Sequence, residues 1–86
     1  MSEHPSRYTG SDFLGHVRGI IESAIPGARA EVLGGGGHYS ITVTAAAFAG
    51  KPLLEQQRMV YSAIAELLKG ADAPIHAVDK LITRTA

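Results

Sequence analysis

The sequence predicts an α+β domain in which two helices pack on one face of a three-stranded mixed sheet, in the order αββαβ. Two stretches have the 3.6-residue apolar spacing of amphipathic helices, and two others alternate between apolar and polar side chains. A third extended stretch follows the second helix. These observations indicate a two-layer fold with a single core.

The chain divides into a short tail and one domain. Residues 1–10 are polar and contain a proline and a glycine, which predicts a flexible N-terminal tail. Residues 11–86 are too few for two units that each bury a core, so they are predicted to form one domain. The composition, 45% hydrophobic and 19% charged, is that of a globular protein.

The first helix is predicted over residues 11–25. Its apolar side chains fall on one side of the helical wheel, opposite Arg18 and Glu22. The Pro26-Gly27 pair ends the pattern. Two glycines within the helix lower its intrinsic propensity, so packing against the sheet must stabilise it.

Residues 28–33 and 38–45 alternate and are predicted to form an antiparallel hairpin. Every second side chain from Tyr39 to Val43 is apolar and faces the first helix, whereas the Ser and Thr residues between them face outward. The two strands are separated by four consecutive glycines, Gly34–Gly37. Because four are too many for a two-residue turn, the loop is predicted to be wide and flexible, or shaped to let another backbone approach.

The second helix is predicted to begin at Pro52 and to end near Lys69, with Gly70 as its C-cap. Its core stripe includes Gln57, a buried amide that would need hydrogen-bond partners. Met59 falls on the polar side, where an exposed methionine indicates either a contact surface or one of the common single exposed apolar residues. The apolar members of the stripe are Leu53, Val60, Ile64, Leu67 and Leu68.

The third strand is predicted over residues 75–83. Pro74 cannot donate to a sheet ladder, and it restricts the preceding residue to extended conformations, so the strand begins just after it. Because a helix separates this strand from the hairpin, the chain must cross over. The resulting mixed sheet with helices on one face resembles the KH fold of class II.

Composition excludes several classes of function. Eight Lys and Arg residues balance eight Asp and Glu residues, so no net charge draws the chain to nucleic acid or anionic lipid. No apolar run approaches the roughly 20 residues of a membrane helix, and the N-terminus lacks the apolar stretch of a signal peptide. The expected location is the cytoplasm, or the mitochondrial matrix in a eukaryote, with no membrane partner. Without cysteine, any metal bound by this chain alone must use nitrogen or oxygen ligands.

No catalytic motif is present, so the chain is predicted not to be an enzyme. Ser40 and Ser62 lack the flanking elbow of a nucleophile, and no paired carboxylates share an evident cleft. The glycine run leads into a strand rather than a helix, so it does not fit a nucleotide-phosphate loop.

Lys51, Arg58 and Lys69 lie on or near the second helix, where cations form either a nucleic-acid patch or a simple solvated face. Lys51, Arg58 and Met59 are the candidate surface for a partner or for weak nucleic-acid binding. The alternative function that they predict is a KH-like nucleic-acid-binding transcription regulator. Where a KH loop is expected, Phe48–Lys51 contains only one glycine, so this binding mode has little support.

Two histidines lie at the ends of predicted strands. His38 closes the glycine loop and His76 opens the third strand, and neither place is typical of a packing histidine. A single histidine at a strand start is more often structural than a ligand. Two of them in a domain with no other chemistry give the ligand interpretation more weight, although the structural one is still the more frequent.

Three stretches resemble the BolA family: Gly37–Tyr39 entering the second strand, Phe48–Tyr61, and Ile75–Val78. They occur in the family's order and spacing over nearly the whole predicted domain. The middle block, with F-x-G-K followed by R-M-V-Y, is specific. The αββαβ order obtained from periodicity agrees with the fold that the resemblance implies.

Two departures from the family pattern matter. Gln56-Gln57 replace the Arg-His of many members, as in the IbaG-like bacterial branch, which removes positive charge from the helix proposed to touch DNA. The usual x-T-Y-T-P ending is shifted by one residue over Leu81–Ala86, which predicts a β-bulge around Asp79–Lys80.

The resemblance implies an adaptor or regulator that pairs with a monothiol glutaredoxin and shares a [2Fe–2S] cluster with it, in iron–sulfur trafficking, iron homeostasis and stress response. It makes His76 the first ligand candidate and His38, near the hairpin loop, the second. The partner's cysteine and bound glutathione would supply thiolates. The isolated chain is expected to hold no cofactor and to be a monomer or weak homodimer.

Overall fold

Residues 10–86 are described by a computed structural model, so the predicted tail, apart from Gly10, lies outside the described residues. The helices and strands, in chain order, are α1 Gly10–Ala24, β1 Arg29–Gly35, β2 His38–Thr44, α2 Leu53–Ala63 and β3 Ala77–Arg84. Short 3-10 turns at Ala46–Phe48 and Ala65–Leu67 flank α2. None of the helices in this range is long and apolar enough to cross a membrane.

The strands form one mixed sheet in the order β1-β2-β3. β1 and β2 are an antiparallel hairpin, and β3 pairs with the other side of β2 in parallel. A parallel neighbour needs a crossover connection, which α2 and its flanking turns supply. The predicted α+β class and αββαβ order are therefore confirmed.

The hydrophobic core lies between the two helices and one face of the sheet. The alternate side chains of β2 are buried, and both helices contribute apolar residues above them. Each fully buried valine, isoleucine or phenylalanine side chain contributes about 1.5–3 kcal/mol to the free energy of folding, because its apolar surface is removed from water. The largest of these residues are Val17 and Ile21 of α1, Ile25 just after it, Ile41 and Val43 of β2, Val60 and Ile64 around the end of α2, and Phe48 and Ile75 of the connections.

The glycine run forms a tight turn, and the prediction of a wide loop was wrong. Gly34 and Gly35 extend β1 and pair with Tyr39 and His38, which leaves only Gly36-Gly37 to reverse the chain. Both turn residues have positive φ, 62° and 89°. Two-residue hairpin turns of this kind require positive φ at both positions, and glycine adopts it without a steric penalty.

Helix α2 ends at Ala63, earlier than the predicted end near Lys69. Ile64 has left the helical conformation, with φ −105° and ψ 13°, and a 3-10 turn follows. The N–H of Ile75 donates to the C=O of Leu67 at 3.1 Å, so this turn is tied to the segment that enters β3. Tertiary contacts therefore override the helical periodicity of the sequence.

The predicted bulge in the last strand is confirmed. Val78 pairs with Tyr39 and Lys80 pairs with Ser40, so Asp79 is an extra residue without a cross-strand partner. The inserted residue shifts the alternation of β3 by one position, which brings Leu81 opposite the buried Ile41. Without it, the apolar and polar residues of β3 would exchange faces.

Two members of the predicted core stripe of α2, Leu53 and Gln57, do not have the environment that the sequence predicted. Leu53 is 60% exposed, because the first turn of the helix extends beyond the packed interface. The amide with defined partners is Gln56, not Gln57. Its Nε2 donates to the carbonyls of Lys51 at 2.8 Å and Phe48 at 3.4 Å, and its Oε1 accepts from Thr83 Oγ1 at 2.7 Å. Gln56 thus connects the segment before α2 to β3.

We expect Gln56→Ala to lower the free energy of unfolding by about 1–2 kcal/mol, because its hydrogen bonds to Phe48 and Thr83 are partly shielded from water. Urea denaturation measures the change. Gln57→Ala on the same helix is the control and should cost less than half as much. An equal cost for both substitutions would contradict the role given to Gln56.

One N–H at the outer edge of β1 is capped by a side chain of α1. Ala30 N–H donates to Glu22 Oε2 at 2.9 Å, and Arg18 Nε donates to the same oxygen at 3.2 Å. These hydrogen bonds, the backbone one first, lower the pKa of Glu22 below its ordinary value of 4.5. Because free N–H groups of edge strands attract other strands, Glu22 also shields this edge.

Glu22→Gln should therefore destabilise the fold in a pH-dependent way. The pKa of Glu22 is lower in the folded than in the unfolded chain, so its stabilisation is complete above about pH 4.5 and is lost as the pH falls through the folded-state value. Urea denaturation of both proteins over a pH series should give stabilities that differ at neutral pH and converge in acid. A difference that stays constant with pH would contradict this assignment.

Candidate functional site

The parallel pairing of β2 and β3 brings the two candidate histidines to the same end of the sheet. His38 is the first residue of β2 and pairs with Ala77, the first residue of β3 and the neighbour of His76. Gly35, the last residue of β1, pairs with His38 from the other side. We call this region, formed by residues 35–38 and 76–79, the histidine end of the sheet.

The turn residue Gly37 holds His76 in place. Its carbonyl accepts hydrogen bonds from the N–H groups of His76 at 2.8 Å and Ala77 at 3.0 Å. A Cβ placed on Gly37 would lie 2.9 Å from Cγ and 3.1 Å from Nδ1 of the imidazole. The His76 ring therefore lies against the backbone of Gly37. It fills the space that the Cβ of any other residue at position 37 would need.

Both imidazoles are accessible to another molecule. His76 is an exposed residue, and the side chain of His38 is 60% exposed. Neither ring belongs to the hydrophobic core, although the neighbouring Tyr39 does. Both side chains at the histidine end of the sheet can therefore be reached by a metal centre in a complex.

Asp79 contacts His38 across the strands. The distance from His38 Nδ1 to Asp79 Oδ1 is 3.3 Å, and the Asp79 side chain is 56% exposed. Sequence reasoning placed a bulge at this position but gave Asp79 no role, because its proximity to a residue 41 positions away depends on the strand register.

The histidine end does not form a complete metal site by itself. Within residues 10–86, no group of three or more His, Cys, Asp or Glu side chains is arranged to hold a metal ion. The third histidine of this range is His16 on α1, whose ring lies near that of Phe13, with the two ring centroids 6.4 Å apart. Neutral imidazoles are good ligands for iron and other transition metals, so His38 and His76 fit a centre whose other ligands come from other molecules.

The candidate surface on α2 is separate from the histidine end, and one of its two cations is paired with a carboxylate. Lys51 is exposed just before the helix, whereas Arg58 Nη1 pairs with Glu55 Oε2 at 3.2 Å. Met59 is half-buried and packs against the core, so the expectation of an exposed methionine on the polar side was wrong. It lines a groove together with Ala24 at the end of α1 and the following Ile25.

A cavity of about 600 Å³ lies at the opposite end of the sheet. Its lining includes Arg29 at the start of β1, Thr44 at the end of β2 and Arg84 at the end of β3, which are neighbours in the strand register. Neither candidate histidine lines it. This cavity is therefore not part of the histidine end.

Comparison with known proteins identifies the class. A family model described as BolA-like protein matches residues 21–85, and the chain therefore belongs to the BolA-like family. No curated protein matches the chain.

The solved structures that are similar to the chain include the following three. It is 23% identical to the BolA1 protein of Mus musculus, with a TM-score of 0.66 over 99% of this chain and 73% of that one. A BolA homologue from Coxiella burnetii is 24% identical, with a TM-score of 0.59, and the match covers 83% of this chain and 85% of that one. These two likenesses show the shared fold. The XC975 protein is 34% identical, with a TM-score of 0.56 over 99% and 95% of the two chains.

We expect Gly37→Ala to lower the free energy of unfolding by about 1–3 kcal/mol and to move the His76 ring, because alanine is strained at φ 89° and its Cβ meets the imidazole. Urea denaturation and the NMR signals of the ring measure the two effects.

Two neighbouring glycines supply matched controls for Gly37→Ala. Gly36→Ala keeps the positive φ, 62°, but its Cβ has no atom within 4 Å, so it reports strain alone. Gly35→Ala meets nothing within 4 Å and should change little. If Gly36→Ala shifts the His76 ring signals as much as Gly37→Ala does, the proposed contact is contradicted.

Proposed function

We propose that this protein is an adaptor that pairs with a monothiol glutaredoxin and co-ligates a [2Fe–2S] cluster through His76, with His38 as the second imidazole. The observation that supports the proposal best is the arrangement of two exposed histidines at one end of the sheet, with His76 fixed against Gly37. Family membership supports a regulatory or adaptor role rather than catalysis.

The chain's lack of cysteine agrees with a shared centre. Thiolates from the glutaredoxin and from glutathione would complete the ligand set, so a cluster would be held only by the assembled complex. When bound, the cluster supplies an electron-accepting centre whose potential is raised by imidazole ligation relative to thiolate ligation. This chain's contribution is to present neutral ring nitrogens at fixed positions and to cover one side of the centre.

The broader roles in iron–sulfur trafficking, iron homeostasis and stress response belong to the same proposal. So do a cytoplasmic or matrix location and a monomeric or weakly dimeric free chain. The alternative of a KH-like transcription regulator has less support. Arg58 and Lys69 each form an ion pair with a glutamate three residues earlier in the sequence, and the chain has no net charge.

The test is to mix the chain with cluster-loaded monothiol glutaredoxin and glutathione and to record visible absorption and circular dichroism. Wild type should produce a new spectrum, because an imidazole replaces another ligand at one iron. His76→Ala should lose most of that change. His16→Ala, a histidine substitution on α1, is the matched control and should behave as wild type does.

The far-ultraviolet spectrum and urea midpoint of each variant are recorded first, so that loss of folding is not taken for loss of a ligand. No spectral change with the folded wild-type chain, or an unaltered change with folded His76→Ala, would refute the proposal. Duplex DNA binding at physiological salt that Lys51→Ala abolishes would favour the nucleic-acid alternative instead.

A further inference from the structure

We propose that Asp79 is a positioning residue for His38, which holds the proton on Nδ1 and leaves Nε2 as the nitrogen that faces the metal. This inference rests on the proposed function, since it concerns how the second imidazole is presented to a shared cluster. It assigns a role to a side chain outside the candidate ligand pair.

The hydrogen-bond chemistry of the pair determines the tautomer. His38 Nδ1 lies 3.3 Å from Asp79 Oδ1. An ionised carboxylate can only accept a hydrogen bond, so Nδ1 must carry the proton when this bond forms. In the neutral ring Nε2 then keeps its lone pair. Histidine ligands of metals commonly donate their other N–H to a carboxylate in this way, which orients the ring and fixes the tautomer.

The bulge explains how Asp79 reaches His38. Lys80, not Asp79, takes the position opposite Ser40, so Asp79 has no cross-strand partner of its own. Ala77, two residues before Asp79, is the residue that pairs with His38. The inserted residue thus lies beside the start of β2, and bulges often redirect a side chain in this manner.

The pair is too exposed to be explained as a stabilising ion pair. The side chains of His38 and Asp79 are 60% and 56% exposed, and exposed pairs contribute little to stability. Removing the carboxylate should therefore leave the urea midpoint nearly unchanged. An effect on His38 without an effect on stability separates positioning from a structural role.

The first experiment uses the isolated chain and needs no partner. Two-dimensional ¹⁵N–¹H spectra of the imidazoles, at a pH where they are neutral, report which nitrogen carries the proton. Wild type should show His38 mainly protonated at Nδ1, and Asp79→Ala should shift it toward Nε2. Asp79→Glu should restore part of the wild-type pattern. Asp72→Asn, at an exposed position between α2 and β3, should have no effect. The same His38 tautomer in wild type and Asp79→Ala overturns the inference.

The second experiment measures cluster retention in the complex with glutaredoxin and glutathione. Asp79→Ala should weaken it by about 10- to 100-fold, the usual effect of removing such a partner. In a His38→Ala background the same substitution should have no further effect. An equal loss in both backgrounds overturns the inference, because Asp79 would then act without His38. If wild type forms no complex, the proposed function fails, while the tautomer measurement still tests whether Asp79 positions His38.

Discussion

The pairing of β2 with β3 determines where this protein can do chemistry. Because the strands are parallel, His38 and His76 meet at one end of the sheet although 38 positions separate them in the sequence. The carbonyl of Gly37 anchors this end by accepting two N–H groups from the start of β3. A one-residue slip would remove both hydrogen bonds and exchange the two faces of β3. The packing of the core against β2 and the candidate site at the start of this strand therefore depend on the same register.

Periodicity predicted the fold well because each element buries one face. The apolar stripe of α1 and the alternation of β2 gave their positions to within one or two residues. Predictions failed where conformation depends on backbone sterics or on distant contacts. The glycine run forms a tight turn since Gly36-Gly37 both adopt positive φ. Helix α2 ends early because its last turn is tied to the entry of β3.

The candidate site could be predicted only in part. His38 and His76 were identified from their places at strand ends and from the resemblance to the BolA family, and the register then placed them together. The roles of Gly37 and Asp79 could not be inferred from one sequence, because both depend on contacts between residues about 40 positions apart. The bulge prediction was the one signal that pointed toward Asp79. Family membership adds the fold and the class of protein, but not the partner.

The proposed function requires that the imidazole of His76 binds iron in a centre completed by another protein. The most direct measurement is electron paramagnetic resonance of the reduced cluster in the glutaredoxin complex, with ¹⁵N-histidine incorporated only in this chain. We expect strong ¹⁵N hyperfine coupling from directly bonded imidazole nitrogens, and the loss of the His76 contribution in His76→Ala. A reduced cluster in the wild-type complex with no such coupling would show that neither imidazole binds iron.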